Sequence, residues 1–173
     1  SVIDLYLVGQ FIQRHQVTIL WLTSGLFNQM VDNNPEGLKG IKQLLIGGEA
    51  LSVQHVERFL ASSDPKLMLI NGYGPTENTT FTTTYRIANF NTFTNSVPIG
   101  VPISNTRVYL LDEWLQPTPI GVVGELYTGG LGIARGYLNR PELTAERFIE
   151  HPKFGRLYKT GDLCRWLPNG NIE

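Results

Sequence analysis

The sequence predicts an α/β protein: a parallel-sheet layer over residues 1–100, followed by a β-rich, barrel-like subdomain over residues 101–173. Three observations carry this expectation. Apolar runs of strand length at VTILWL, KQLLIGG and KLMLING alternate with helix-period segments, and strand–helix–strand in that order implies parallel pairing with right-handed crossovers. After about residue 86 the texture changes, and prolines and glycines punctuate short strands. Glycine-rich loops follow the apolar runs directly, where open sheets of this kind bind their ligands.

Each element has its own signal. Asp4 can cap a helix whose apolar face is Leu5, Val8, Phe11 and Ile12. VTILWL (17–22) is continuously apolar, as expected of a strand covered on both faces. SGLFNQMV is a second short helix, and KQLLIGG (42–48) is a strand ending in glycines. Ser52 caps a helix with Val53, Val56, Phe59 and Leu60 inward. KLMLING (66–72) is the third strand and runs into the loop NGYGPTEN (71–78). The β-branched run TTFTTTY (79–85) is expected to be a strand, and NFNTFTNSVPIGVPISN a connecting loop. TRVYLLD and GELYTGG are strands joined by the turn QPTPIGVVG. LTAERFI is a short helix with Thr144 as its cap. LYKTGD and LCRWL are further strands, followed by a PNG hairpin turn.

Composition bounds the function. A chain of 173 residues, 42% hydrophobic and 17% charged, can build one real core and is somewhat poor in charge. A net charge of −1 leaves no electrostatic footprint for nucleic acid. The single cysteine, Cys164, excludes an internal disulfide, and His15, His55 and His151 lack metal-ligand spacing. No apolar run approaches a membrane span, so a cytoplasmic location without membrane partners is expected. Both ends read as cut: the chain opens already entering a helix and stops in the second arm of a hairpin.

Three loops carry candidate chemistry. In NGYGPTEN, Gly72 and Gly74 permit positive φ and close backbone approach, and Pro75 fixes the turn. Backbone N–H groups and the Thr76 hydroxyl can donate to phosphate oxygens. Glu77, when ionised, only accepts. Beside a phosphate it therefore needs a cation, and Mg²⁺ suits one or two carboxylates plus phosphate oxygens. Tyr73 offers a flat face to a base or an apolar body to the core, and Asn71 offers a donor and an acceptor. In YKTGDL, Asp162 can accept from a vicinal diol. In IGGEAL, two glycines would let a flat ring lie against the backbone. Each loop taken alone also fits an ordinary glycine turn.

Three stretches taken together are more specific. NGYGPTENTTFTTTY, GELYTGGLGIARGYLNRPELTAERF and RLYKTGDLCRWLPNGNIE, in this order, closely resemble the adenylation domain of nonribosomal peptide synthetases. That family belongs to the adenylate-forming enzymes, and the resemblance spans nearly the whole chain. It implies a flavodoxin-like layer and a β-rich subdomain within the adenylate-forming core. It implies ATP and Mg²⁺ as cofactors, aminoacyl-AMP as product, and transfer to the phosphopantetheine thiol of a partner carrier protein. Carrier and condensation domains would be its partners. By motif position, Asn71 would bind the adenine edge and Tyr73 stack on the ring. Gly48 and Glu49 would line the adenine. Thr76 would contact phosphate, Glu77 would hold the metal, and Asp162 would take the ribose hydroxyls.

The same resemblance assigns an amino-acid pocket to Trp21, Leu45, Gly47, Gly72, Thr80 and Phe81. These walls are similar to those of valine-activating domains, with a modest margin over isoleucine. It also implies that a phosphate loop and an amine-pairing aspartate precede residue 1, and that the catalytic lysine lies beyond residue 173. The expectation is that this polypeptide alone does not adenylate at a useful rate. An aryl- or acyl-acid ligase of the same fold and a non-catalytic specificity subdomain are the alternatives.

Overall fold

The computed structural model describes residues 4–88 and 96–173. They form two compact units. The first takes the chain as far as Gly72 and resumes at Tyr85; the second holds Tyr73–Thr84 and Pro98–Glu173. The expected loop segment at 89–95 lies outside the described residues.

In the first unit, α1 (Leu5–Arg14) starts where the sequence predicts, with the Asp4 carboxylate accepting from the backbone N–H groups of Tyr6 and Leu7. Its buried face differs from the expected one. Ile12 is buried, but Phe11 is exposed and packs on His15 instead. The strands β1 (Ile19–Thr23), β2 (Gln43–Gly47) and β3 (Met68–Tyr73) pair in parallel, with Leu22 beside Ile46 and Ile46 beside Asn71. Between them lie α2 (Ser24–Asn33) and α3 (Val53–Ser62). One sheet face carries Leu22, Leu44, Ile46 and Leu69 into a core with Phe27, Met30, Val56 and Phe59. Expected burial on both faces fails at β1. It is the first strand in its sheet, and Ile19 and Trp21 are 62% and 48% exposed.

Ser52 stands at the start of α3 as predicted, but its side chain does not cap the helix. Its hydroxyl lies 2.7 Å from His55 Nδ1 instead. Serine hydroxyls satisfy whichever local partner is nearest, and a histidine one turn ahead competes with the backbone. The run TTFTTTY is not one strand. Residues 76–78 form a 3-10 turn, and β4 (Thr83–Ile87) begins only afterwards. Thr83 and Thr84 pair antiparallel with the short β5 (Val101–Pro102), which makes the first sheet mixed.

The second unit contains a four-stranded antiparallel sheet in the order β6-β7-β9-β8. Its strands are β6 (Thr106–Leu111), β7 (Gly124–Gly130), β8 (Phe148–His151) and β9 (Gly155–Cys164). LYKTGD and LCRWL are therefore not two strands, because β9 runs from Gly155 through Cys164. The predicted hairpin follows, with Trp166 bridged to Ile172 across the PNG turn. Thr144 is not the cap of α4 (Pro141–Arg147), which starts with a proline after Arg140. Thr144 lies inside the helix, donates to the Arg140 carbonyl and accepts from the Tyr137 N–H. Val108, Leu110, Leu126, Cys164 and Ile172 form one core here, with Tyr73 and Trp166 packed against it.

Candidate functional site

The site in the second unit starts where β3 ends. Tyr73 closes the strand, and its carbonyl accepts from the Thr82 N–H at 2.7 Å, drawing the intervening residues into a loop. Gly74 is required by close approach rather than by φ. A Cβ there would meet the Thr80 carbonyl at 2.5 Å and the Thr82 nitrogen at 2.6 Å. The loop is pinned from below by Asn78, which is 1% exposed. Its Nδ2 donates to Thr82 Oγ1 at 2.9 Å and to Thr128 Oγ1 on β7 at 3.0 Å. Thr79 holds a positive φ of 72°, unusual for a β-branched residue, and its hydroxyl donates to the Gly132 carbonyl at 2.8 Å. The Ala134 N–H donates to the Glu77 carbonyl at 2.7 Å. Thr76, at the head of the 3-10 turn, is exposed.

The Tyr73 hydroxyl donates to Asp162 Oδ2 at 2.5 Å, across 89 positions of sequence. Burial raises the Tyr73 phenol pKa well above its ordinary value, and the Asp162 carboxylate raises it further. Asp162 is not at a strand end, as the sequence suggested, but inside β9 at a bulge. Glu125 pairs with Leu163 and Tyr127 with Lys159, so two steps on β7 face four on β9. The surplus pushes residues 160–162 out of the ladder. The Thr160 hydroxyl donates to the Leu126 carbonyl at 2.7 Å and accepts from the Asp162 N–H at 3.0 Å. The Gly161 N–H donates to Glu125 Oε1 at 3.1 Å.

Glu77 is gripped from another side. The Tyr137 hydroxyl donates to its Oε1 at 2.5 Å, and the Tyr158 hydroxyl lies 3.4 Å from that of Tyr137. Burial pushes the Glu77 carboxyl pKa up, but hydrogen bonds from Tyr137, its own backbone and Tyr158, with the Arg147 charge, more than reverse this and hold it below the usual range. Glu77 is therefore ionised at neutral pH. The residues alone did not single out Tyr137, Tyr158, Asn78 or Arg147. Their sequence signal is membership of the three quoted stretches: Asn78 closes NGYGPTEN, Tyr137 and Arg147 lie in ARGYLNRPELTAERF, and Tyr158 lies in RLYKTGDL.

In the first unit, four of the expected pocket residues share one sheet face. Trp21 lies beside Leu45, and Gly47 lies beside Gly72. Gly47 is dictated by backbone approach, since a Cβ there would fall 2.0 Å from the Gly72 carbonyl. Asn71 points to the opposite face and is 5% exposed. Gly48, with φ of 90°, and Glu49 are exposed just beyond β2. Thr80 and Phe81 belong to the second unit, in the loop before β4. No group of three or more His, Cys, Asp or Glu side chains able to hold a metal occurs among the described residues.

Residues 5–138 match the model of the AMP-binding enzyme family. The chain belongs to the AMP-binding enzyme family. It is 50% identical over 173 residues to tyrocidine synthase 3 of Brevibacillus parabrevis, covering 99% of this chain but 3% of that protein. The structure of PA1221, an NRPS protein containing adenylation and PCP domains, superposes with a TM-score of 0.93 at 41% identity, over 100% of this chain and 36% of that one. The Klebsiella oxytoca NpsA N-terminal subdomain in complex with 3-hydroxybenzoyl-AMSN superposes with a TM-score of 0.90 at 30% identity, over 99% of this chain and 44% of that one. This AMP-binding chain thus spans only a part of each relative. Its expected α/β fold and its resemblance to adenylation domains are both borne out. Among its described residues no helix is long and apolar enough to cross a membrane.

Proposed function

We propose that this chain is the adenylate-binding part of an amino-acid-activating adenylation domain in a nonribosomal peptide synthetase. In the proposed reaction a substrate carboxylate oxygen attacks the α-phosphorus of ATP, forming aminoacyl-AMP and releasing pyrophosphate. The aminoacyl group then passes to the pantetheine thiol of a carrier domain, freeing AMP; carrier and condensation domains would be the partners. Support for a carrier partner comes from the PCP domain of PA1221. The observation that carries the reading is the Tyr73–Asp162 hydrogen bond, which joins the loop proposed for the base to the carboxylate proposed for the ribose.

The chain's own residues would bind and orient. Asn71 would offer its amide to the adenine edge and Tyr73 its ring to the base, and Gly48 and Glu49 are the proposed adenine lining. Thr76 and nearby N–H groups donate to phosphate oxygens, and Asp162 accepts from the ribose diol. Positioning of this kind lowers the barrier by holding the reacting atoms in line. Glu77 is an ionised carboxylate that belongs to no group of three or more metal-ligating side chains among the described residues. It fits Mg²⁺, which takes most of its ligands from phosphate and water, rather than a metal needing a full protein cage. When bound, the ion would neutralise phosphate charge.

The substrate proposed is valine. Trp21 and Leu45, side by side on one face, are the bulky walls, and Gly47 and Gly72 keep the adjoining positions open. Thr80 and Phe81 are the remaining proposed walls. An apolar wall of this size suits a short branched side chain. The experiment is calorimetry of the chain with a panel of aminoacyl sulfamoyl adenosines. The valyl analogue is expected to bind tightest, with the isoleucyl analogue weaker by about 10- to 200-fold. Tightest binding of another aminoacyl analogue would keep the adenylation reading and remove valine. Preference for a 3-hydroxybenzoyl analogue would favour the aryl-acid ligase reading, for which the NpsA complex is the specific motive.

A further inference from the structure

The proposed roles of Tyr73 and Asp162 concern separate parts of a nucleotide. Stacking on a base needs only the Tyr73 ring, and a ribose diol needs only the Asp162 carboxylate. Neither role calls for the phenol oxygen. Yet that oxygen lies 2.5 Å from Asp162 Oδ2. We infer that the Tyr73 hydroxyl is a positioning group for nucleotide binding: it fixes the Asp162 carboxylate in one orientation and so sets how strongly the site prefers a ribose with both hydroxyls. This inference rests on the proposed nucleotide-binding reading and assigns it a further specificity-determining atom.

The two partners differ in how firmly they are held. The Tyr73 ring packs against the core of Val108, Leu126, Cys164 and Ile172, with Ile99 and Trp166. Its hydroxyl therefore has a fixed origin. Asp162 is exposed, and an exposed carboxylate otherwise samples several rotamers. Its backbone is already set by the bulge, through the Thr160 and Glu125 hydrogen bonds. The Tyr73 hydroxyl is the one side-chain donor to its carboxylate among the described contacts. A carboxylate offers about four acceptor sites. With one site of Oδ2 used by Tyr73, Oδ1 and the remaining site on Oδ2 stay available to two hydroxyls. The phenol thus removes rotamer entropy beforehand, and a diol meets an acceptor pair already aimed.

The test separates the hydroxyl from the ring. Tyr73→Phe keeps the ring and removes only the oxygen. Dissociation constants for AMP and 2′,3′-dideoxy-AMP would be measured by calorimetry for the unchanged chain, Tyr73→Phe, Asp162→Asn and the double variant. Thermal unfolding would check that each variant is folded. The unchanged chain should prefer AMP. Tyr73→Phe should weaken AMP by about tenfold, the scale of one charge-assisted hydrogen bond, and leave the dideoxy nucleotide unchanged. In the Asp162→Asn background, Tyr73→Phe should do little more, because the group it acts through is gone. Equal weakening of both nucleotides by Tyr73→Phe would make the residue a stacking or structural one and overturn the inference. So would no change in either constant. A chain that binds neither nucleotide would remove the nucleotide-binding reading itself, and this inference with it.

Discussion

At the scale of single residues, the site is made of polar atoms whose partners come from remote sequence. Glu77 depends on Tyr137, which is itself fixed by the Thr144 hydroxyl on its backbone N–H and by the edge of Phe148. Tyr137→Phe should therefore raise the Glu77 carboxyl pKa, and side-chain carbon NMR across an acid titration would record it. The sign for stability follows. The folded pKa of Glu77 is lowered, so its contribution is present above the unfolded carboxylate value and is lost as pH falls through the folded value. Urea midpoints should fall less steeply with acid in Tyr137→Phe than in the unchanged chain. Cys164 has the opposite sign. Burial, aided by the nearby Asp162 charge, pushes its thiol from 9.0 to about 11. Its contribution is complete below the unfolded value and is lost as pH rises through about 11. Cys164→Ala should remove part of the alkaline loss of stability, measured by urea unfolding between roughly pH 8 and 11.

At the scale of elements, backbone approach and register decide what side chains can do. The ends of β2 and β3 come so close that Gly47 admits no Cβ beside the Gly72 carbonyl. Gly47→Ala must push the strand ends apart. It should cost about 1–3 kcal/mol by urea unfolding, the range for overpacking a tight site. The β9 bulge is the second such device. A regular ladder would alternate residues 160–162 between the two sheet faces, whereas the bulge lifts Asp162 out to the side where Tyr73 ends. Thr160→Val removes both the hydroxyl that reaches the Leu126 carbonyl and the acceptor for the Asp162 N–H. It should destabilise by about 1–3 kcal/mol. Faster amide exchange at Gly161 and Asp162 than at Leu157 would place the damage at the bulge.

At the scale of the whole molecule, the chain has two compact units with separate cores. Leu69 and Leu126 are both fully buried, each in a different one. Leu69→Ala and Leu126→Ala should each cost about 2–5 kcal/mol, the range for a leucine cavity. Because the two side chains share no cluster, the double variant should lose the sum to within about 0.5 kcal/mol. Denaturant unfolding of the four proteins would check this, and a large interaction energy would mean the cores behave as one.

The sequence by itself determined the class of fold and the family. Apolar runs of the right length, a capping aspartate before α1 and glycine loops after strands are local signals, and local propensity is written in neighbouring residues. NGYGPTEN, ARGYLNRPELT and YKTGD were legible for the same reason. What failed was also local: Ser52, Thr144 and TTFTTTY each have good propensity for a role that a nearby partner took from them. Ser52 turned to His55, Thr144 to the Tyr137 backbone, and the threonine run was broken by the Asn78 network. Only the tertiary structure decided that Tyr73 reaches Asp162 and that Tyr137 reaches Glu77. Those bonds span 89 and 60 positions, and no periodicity within one segment encodes a pairing between two. They exist because buried rings and a strand bulge bring donor and acceptor to the same point, and an aligned hydrogen bond forms wherever packing makes that approach possible.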